Sequence, residues 1–283
     1  MTSIEIIDAG FYTSLQDKGR LGYGTIGVPE SGAMDQQSLE LSNLLLNNPT
    51  DTAVLECTLV GPSLLFLKDI AFVLTGALSN ATLDANPVAN NQVHFATKNQ
   101  VLTLGKVTQG CRTYVGVDGG FDTKIVLGSR SMFYPITQEA VIKKGTRFKT
   151  AASNFGTHKG GKIQMNKESL AIFQNELSVY KGPEYELLSS ESREQLRELT
   201  FALSAFNRMG IALDTVVEPR NHKMLTGPVL PGTVQLTPSG RLFVLMRDCQ
   251  TTGGYPRVLQ LTESAINALG QKKTGDKIRF RLE

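Results

Sequence analysis

The chain has 283 residues, of which 41% are apolar and 19% charged. That is enough to bury one large core or two modest ones without disulfide or metal staples, and no apolar run approaches the roughly 18 residues of a membrane-spanning helix. A formal net charge of +3, with no basic block denser than Lys143-Lys144 or Lys272-Lys273, argues against a nucleic-acid partner.

Residues 3–8, SIEIID, alternate like an opening strand. A long glycine-rich loop, QDKGRLGYGTIGVPESGAMD, then runs from Gln16 to Asp35. Asp35 is placed to cap a helix reaching about Leu46, with Leu39, Leu41, Leu44 and Leu45 as its apolar surface and Asn47-Asn48-Pro49 as its stop. The runs AVLECTLV, SLLFLKD, IAFVLTGA, ATLDA, QVHFAT, QVLTLG and RTYVGVDGG are short, apolar or alternating, and separated by Gly, Pro, Asn and Asp. They predict a β-rich region.

Residues 131–177 mix strand-like runs with polar, glycine-containing stretches, and a change of lobe is expected there. The division is drawn at residues 1–160 and 161–283, with exchange of segments between the lobes allowed. The second half is again β-rich. It carries a helix from about Ser192 to Leu199, where Ser192 and Gln195 have capping-box spacing, then TFALSAF as a strand. VQLTPSGRLFVLM reads as a hairpin, Thr262 to Leu269 as a helix stopped at Gly270, and KIRFRL as a closing strand. Many short strands with only three helical patterns predict a mainly β protein of barrels or sandwiches.

Several chemistries lack their signatures. GTHKGGK (156–162) resembles a phosphate-cradling loop, but Ile163 stands where Ser or Thr would hold magnesium, and no buried strand leads into it. His94, His158 and His222 show no paired-ligand spacing, so no metal site is expected. Neither a Met-Lys-Met biotin-attachment stretch nor a G-x-S-x-G elbow occurs. Cys57, Cys111 and Cys249 lie far apart, with neither a C-x-x-C pair nor a disulfide framework, and Cys249 reads as a buried thiol rather than a nucleophile. MTSIEIIDAG lacks the basic stretch and apolar core of a secretory signal, so a cytoplasmic location without membrane association is expected.

Four polar, glycine-bearing segments concentrate the remaining chemistry: QDKGR (16–20), VPESGAMD (28–35), FNRMG (206–210) and DCQTTGGYPR (248–257). Gln16, Asp17, Arg20, Asp35, Arg208, Asp248 and Gln250 suit a small planar carboxylate or amide, since Arg grips an anion bidentately and Gln both donates to and accepts from a carboxamide. The structural alternative is that Asp17 and Arg20 pair to tie down their own loop. The 248–257 stretch is expected to form one wall of a ligand cleft, Gly253-Gly254 bringing backbone N–H groups close and Tyr255 closing over the ligand.

QDKGRLGYGTIGVPESGAMD, Asn47-Asn48, LECTLVGP, GVDGGFDTKIVLGSRS, FNRMGIAL and GTVQLTPSGRLFVLMRDCQTTGGYP follow in an order that resembles the family of allophanate hydrolase subunit 2, KipA and the C-type subunit of 5-oxoprolinase. The same module resembles part of the carboxyltransferase region of urea carboxylases. The resemblance implies two cyclophilin-like β-barrel lobes with a few short helices. It also implies two companions, a KipI-type protein (the B-type subunit) and a LamB-type protein (the A-type subunit), the three together opening 5-oxoproline to glutamate at the expense of ATP. ATP and magnesium would act at the level of the complex, with no covalent cofactor on this chain.

In that reading Arg20 or Arg208 holds the substrate carboxylate and Gln16 or Gln250 the lactam amide. Asp17, Asp35 or Asp248 serves as general base or magnesium ligand, and Ser31, Gly32, Thr251, Thr252, Gly253, Gly254 and Tyr255 complete the binding surface. Two other activities fit the same family: carboxyl transfer to a urea-like amide, and KipA-like sequestration of a KipI-type kinase inhibitor. The chain departs from the family pattern after LGSRS, where MFYPITQEAVIKKGTRF replaces a glycine-rich stretch, and at LTESA, where Ala265 stands near the usual capping Asp.

Overall fold

A computed structural model describes residues 2–150, 170–218 and 224–283. The chain divides into two compact units, Met1–Arg20 with Ser31–Lys167 and Leu21–Glu30 with Glu168–Glu283. The expected lobe boundary at 160/161, the GTHKGGK stretch, His158 and His222 lie outside the described residues. Among the described residues no helix is long and apolar enough to cross a membrane.

The first unit is built from two sheets sharing one core. In one, Ile4–Asp8 lies between Arg147–Thr150 and Ser63–Phe66, and the sheet continues through Val101–Thr103. In the other, Tyr12–Gln16, Val54–Thr58, Val107–Val117, Ile70–Ser79 and Val93–Ala96 lie side by side, all antiparallel. Alternation decides what goes inside: Ile4, Ile6, Leu64 and Phe66 from the first sheet meet Leu55, Cys57, Phe72, Leu74, Val115 and Val117 from the second. His94 is a strand residue here, its ring stacked 5.5 Å from that of Phe72.

Helix α1 (Gln36–Leu45) covers the outer face of the second sheet, and Leu41, Leu45 and Leu46 pack on Ala71, Val73 and Val93. Asp35 caps it as the sequence predicts, accepting from the Ser38 amide at 3.1 Å and the Ser38 hydroxyl at 2.6 Å. Leu44, expected on the apolar side, is 66% exposed instead, because it lies off the stripe formed by Leu41 and Leu45.

The second unit closes into a seven-stranded barrel in the order Glu176–Lys181, Arg257–Leu261, Thr233–Leu236, Arg241–Leu245, Gly210–Val216, Phe201–Phe206, Lys277–Leu282. The last strand returns to the first in parallel, Glu176 opposite Arg279. Every strand sends two residues inward at i and i+2: Leu177/Val179, Leu259/Leu261, Val234/Leu236, Leu242/Val244, Ile211/Leu213, Phe201/Leu203 and Ile278/Phe280 are all buried. The predicted hairpin is present, with Leu236 opposite Leu242.

Helix α2 (Ser190–Glu198) begins two residues before its expected start. The cap is Ser189, whose hydroxyl accepts from the Ser192 amide at 3.0 Å, so Ser192 lies inside the helix rather than at its cap. Helix α3 (Glu263–Gly270) is capped by Thr262, whose hydroxyl accepts from the Ala265 amide, which supplies the cap that the missing Asp would have given. The protein is therefore mainly β, with three short helices and a closed barrel.

Candidate functional site

In the first unit, the QDKGR loop is held by the residues of LGSRS. Asp17 accepts at one carboxylate oxygen from the Ser129 and Ser131 hydroxyls, each at 2.6 Å, and from the Gly19 amide at 2.8 Å. Its other oxygen accepts from the Arg130 amide at 2.5 Å. A carboxylate has about four lone-pair sites, so these donors occupy Asp17 fully. Gln16 donates to Ser14 Oγ and to the Met132 carbonyl, and the buried Arg20 guanidinium donates to the Ser131 carbonyl.

Ser31, Gly32 and Asp35 form a second tight passage. Ser31 and Gly32 take φ values of 57° and 89°, and a Cβ on Gly32 would lie 2.9 Å from the backbone of Lys18 and Gly19. The Ala33 amide donates to the Asp17 carbonyl at 2.9 Å, which links this turn to the QDKGR loop. Beneath it, Glu56 Oε2 accepts from the Met34 amide at 2.7 Å and from the Tyr114 hydroxyl at 2.9 Å, while that hydroxyl accepts from the Asp35 amide at 2.8 Å. Arg112 lies 3.6 Å from Glu56, both side chains fully buried. Burial, reinforced by the charges of Glu56 and Asp35, holds the Tyr114 phenol well above its ordinary range, so it stays protonated and donating.

Sequence reasoning did not select Glu56, Tyr114, Ser129 or Ser131. One signal for Glu56 was available: it is the single charge in AVLECTLV, and a buried strand tolerates a charge only when it is paired.

In the second unit, Arg208 grips Asp248 with two hydrogen bonds, Nε to Oδ2 at 2.7 Å and Nη2 to Oδ1 at 3.0 Å. Both side chains are buried, and the Asp248 amide also donates to the Arg208 carbonyl. Beyond Asp248 the chain borders a cleft of about 540 Å³, whose walls are the 22–30 excursion, residues 228–231 and residues 249–252. Gln250, Thr251 and Thr252 present an amide and two hydroxyls, Glu30 adds a carboxylate, and Val229 an apolar wall.

The fold puts these groups there for local reasons. Gly227 and Pro228 pair with Gly253 and Thr252 in a short ribbon, and Val229 donates to the Thr251 carbonyl. Gly253 must be glycine, since a Cβ would lie 2.4 Å from the Gln235 amide. Gly253 and Gly254 carry the ribbon away from the lining, and Tyr255, expected to close over a ligand, is 46% exposed outside it. Glu30 and the 228–231 wall were not singled out from sequence. Cys249 lies in the lining, but burial, then Glu30 and Asp248, push its thiol up to about 12, so it is a protonated thiol at neutral pH.

Among the described residues no three His, Cys, Asp or Glu side chains gather to hold a metal ion. What the cleft offers is neutral donors and acceptors at one carboxylate, a set suited to a small amide.

Comparisons with known proteins agree with this architecture. Residues 26–282 match the family described as carboxyltransferase domain, subdomain A and B. The chain is 34% identical over 284 residues to the C subunit of 5-oxoprolinase from Escherichia coli (strain K12), the alignment covering 98% of this chain and 90% of that protein. It is 40% identical over 306 residues to a putative urea carboxylase of Emericella nidulans, covering 99% of this chain and 24% of that protein. The crystal structure of the Kluyveromyces lactis urea carboxylase superposes with a TM-score of 0.87 at 27% identity, covering 98% of this chain and 27% of that one. Sequence match, strand order and closed barrel together place the chain in the carboxyltransferase-domain family of subdomains A and B.

Proposed function

We propose that this chain is the C-type subunit of a 5-oxoprolinase, working with a KipI-type (B-type) and a LamB-type (A-type) partner to convert 5-oxoproline to glutamate with ATP. The observation that supports this over the other family activities is coverage. The match to the Escherichia coli 5-oxoprolinase chain extends over 90% of that protein, whereas the urea carboxylases have roughly three quarters of their length outside the match.

Within the second unit, the cleft suits the lactam. The Gln250 amide pairs with the ring N–H and C=O, and the hydroxyls of Thr251 and Thr252 donate to the carbonyl oxygen, where charge grows as the amide is attacked. Arg208 and Asp248 set the direction of the 248–252 stretch through their bidentate pair. In the first unit, Asp17 and Asp35 hold loop and helix cap. Magnesium and ATP are assigned to the complex, and since the described residues gather no metal cluster, no step on this chain passes through them.

The test is phosphate release by this chain assembled with its two partner proteins, with and without 5-oxoproline. Release that depends on 5-oxoproline and yields glutamate is expected, and Gln250→Ala should lower kcat/KM about tenfold without moving the melting temperature, the loss of one or two hydrogen bonds to substrate. The family match also favours a second reading, carboxyl transfer to a urea-like amide. A stable complex without 5-oxoproline-dependent turnover, but with transfer from a carboxybiotin carrier to urea, overturns the first reading in favour of the second.

A further inference from the structure

We propose that the first unit carries a separate binding site for a small organic monoanion with an apolar body, such as an arylalkyl carboxylate. A cavity of about 480 Å³ lies between the 123–130 turn and the 132–148 segment, within the size range of small-molecule sites. Its floor is Leu15, Met132, Ile142 and Phe148, the last two continuous with the buried core. Lys124 and Arg130 supply positive charge at its wall.

These cations have capacity left over. Lys143, also in the lining, is bound to Glu139 at 2.8 Å and is neutralised there. Lys124 makes no ion pair among the described residues, and the Arg130 guanidinium is 3.9 Å from Asp122, too long for a hydrogen bond. Thr123 adds a hydroxyl in the same lining that is buried without a hydrogen-bond partner among the described residues, a group that gains by meeting an acceptor. An apolar floor, two cations with donors to spare and one unsatisfied hydroxyl together select a carboxylate on an apolar stem.

The site is coupled to the Asp17 loop by short covalent paths. Arg130 faces the cavity with its side chain while its amide donates to Asp17, and Leu15 and Met132, joined by backbone and sulfur contacts, flank Gln16 and Ser131. Occupancy therefore restrains the segment that holds Asp17.

The experiment is isothermal titration calorimetry on the full chain with 3-phenylpropionate, with 3-phenylpropanamide, 5-oxoproline and glutamate as controls. Binding of 3-phenylpropionate is expected, with the neutral amide about tenfold weaker and the polar anions weaker still, since one charge-assisted hydrogen bond corresponds to about that factor. Arg130→Ala should weaken the carboxylate about tenfold and leave the amide unaffected. Val141→Trp, which places an indole in the cavity from a half-buried position, should abolish both, its fold checked by an unchanged circular dichroism spectrum. Hydrogen exchange at the Gly19 and Arg130 amides should slow on addition of 3-phenylpropionate. Absence of heat with 3-phenylpropionate, binding undiminished in Val141→Trp, or equal affinity for acid and amide would overturn the proposal.

Discussion

Asp17 and Asp248 are both buried carboxylates in glycine-bearing loops, and both carry the chemistry in a purely sequence-based reading, yet the two units satisfy them in opposite ways. Asp17 is surrounded by neutral donors, two hydroxyls and two amides, drawn from its own loop and from residues 129–131. Asp248 faces one cation, Arg208, with both oxygens. The contrast separates their roles. A charge solvated by hydroxyls and amides organises the backbone that supplies them, whereas a charge paired with a guanidinium is half of a unit whose halves are each costly alone.

The largest effect should come from splitting that pair. Asp248→Asn leaves the Arg208 guanidinium buried without its counter-charge, and removing one partner of a buried pair costs about 3–5 kcal/mol. Urea unfolding should register this as a lower midpoint, and the double variant Arg208→Met with Asp248→Leu should recover most of the loss. If the double variant is as unstable as the single one, the pair contributes shape rather than charge, and the contrast with Asp17 fails.

Asp17→Asn should cost less, about 1–3 kcal/mol, because it replaces an acceptor by an NH2 group that opposes one of the four donors without stranding a buried ion. Exchange of the Gly19 and Arg130 amides should rise in this variant, while the Arg208–Asp248 pair in the other unit is untouched. Gly32→Ala belongs to the same loop system and should cost about 1–3 kcal/mol, since it forces a side chain into the left-handed region against the backbone of Lys18 and Gly19. A loss confined to Asp17→Asn, with Gly32→Ala neutral, would show that the 16–20 and 31–35 passages are independent despite the Ala33–Asp17 hydrogen bond.

What could be read from sequence follows the range of the interactions. The Asp35 cap, the hairpin around Thr237–Gly240 and the α3 stop are each decided within a few residues, and each appears where local chemistry puts it. The α2 start was misplaced because Ser189, Ser190 and Ser192 all have capping chemistry, and only burial of Ser192 and Leu196 decides among them. The partners of Asp17 lie 112 to 114 residues away, and those of Glu56 are 22 and 58 residues away. Nothing in a single chain's spacing signals such pairings. The Gln250–Thr252 stretch was legible as a shaped loop, but Glu30 enters its cleft only because residues 21–30 belong to the second unit.

The smallest effect tests the same contrast through the thiols. Cys57, in the first unit, is held protonated by burial, its thiol far above the ordinary range. Cys249 in the second reaches about 12 through burial together with the Glu30 and Asp248 carboxylates. In both, the folded state disfavours the thiolate, so the unfolded chain is the one that releases a proton first. Each thiol's contribution to stability is intact below the ordinary thiol range, near pH 9, and is lost as pH rises from there towards the raised folded value. Unfolding free energy should therefore fall with rising pH above about 9, and Cys249→Ala should make that fall shallower. Native Cys249 should also react with iodoacetamide about a thousandfold more slowly at pH 8 than the unfolded chain does, the ratio expected for a thiol about three pH units less acidic. If labelling is fast while Asp248→Asn slows it, the carboxylates beside Cys249 activate rather than suppress the thiol, and the cleft contains a nucleophile.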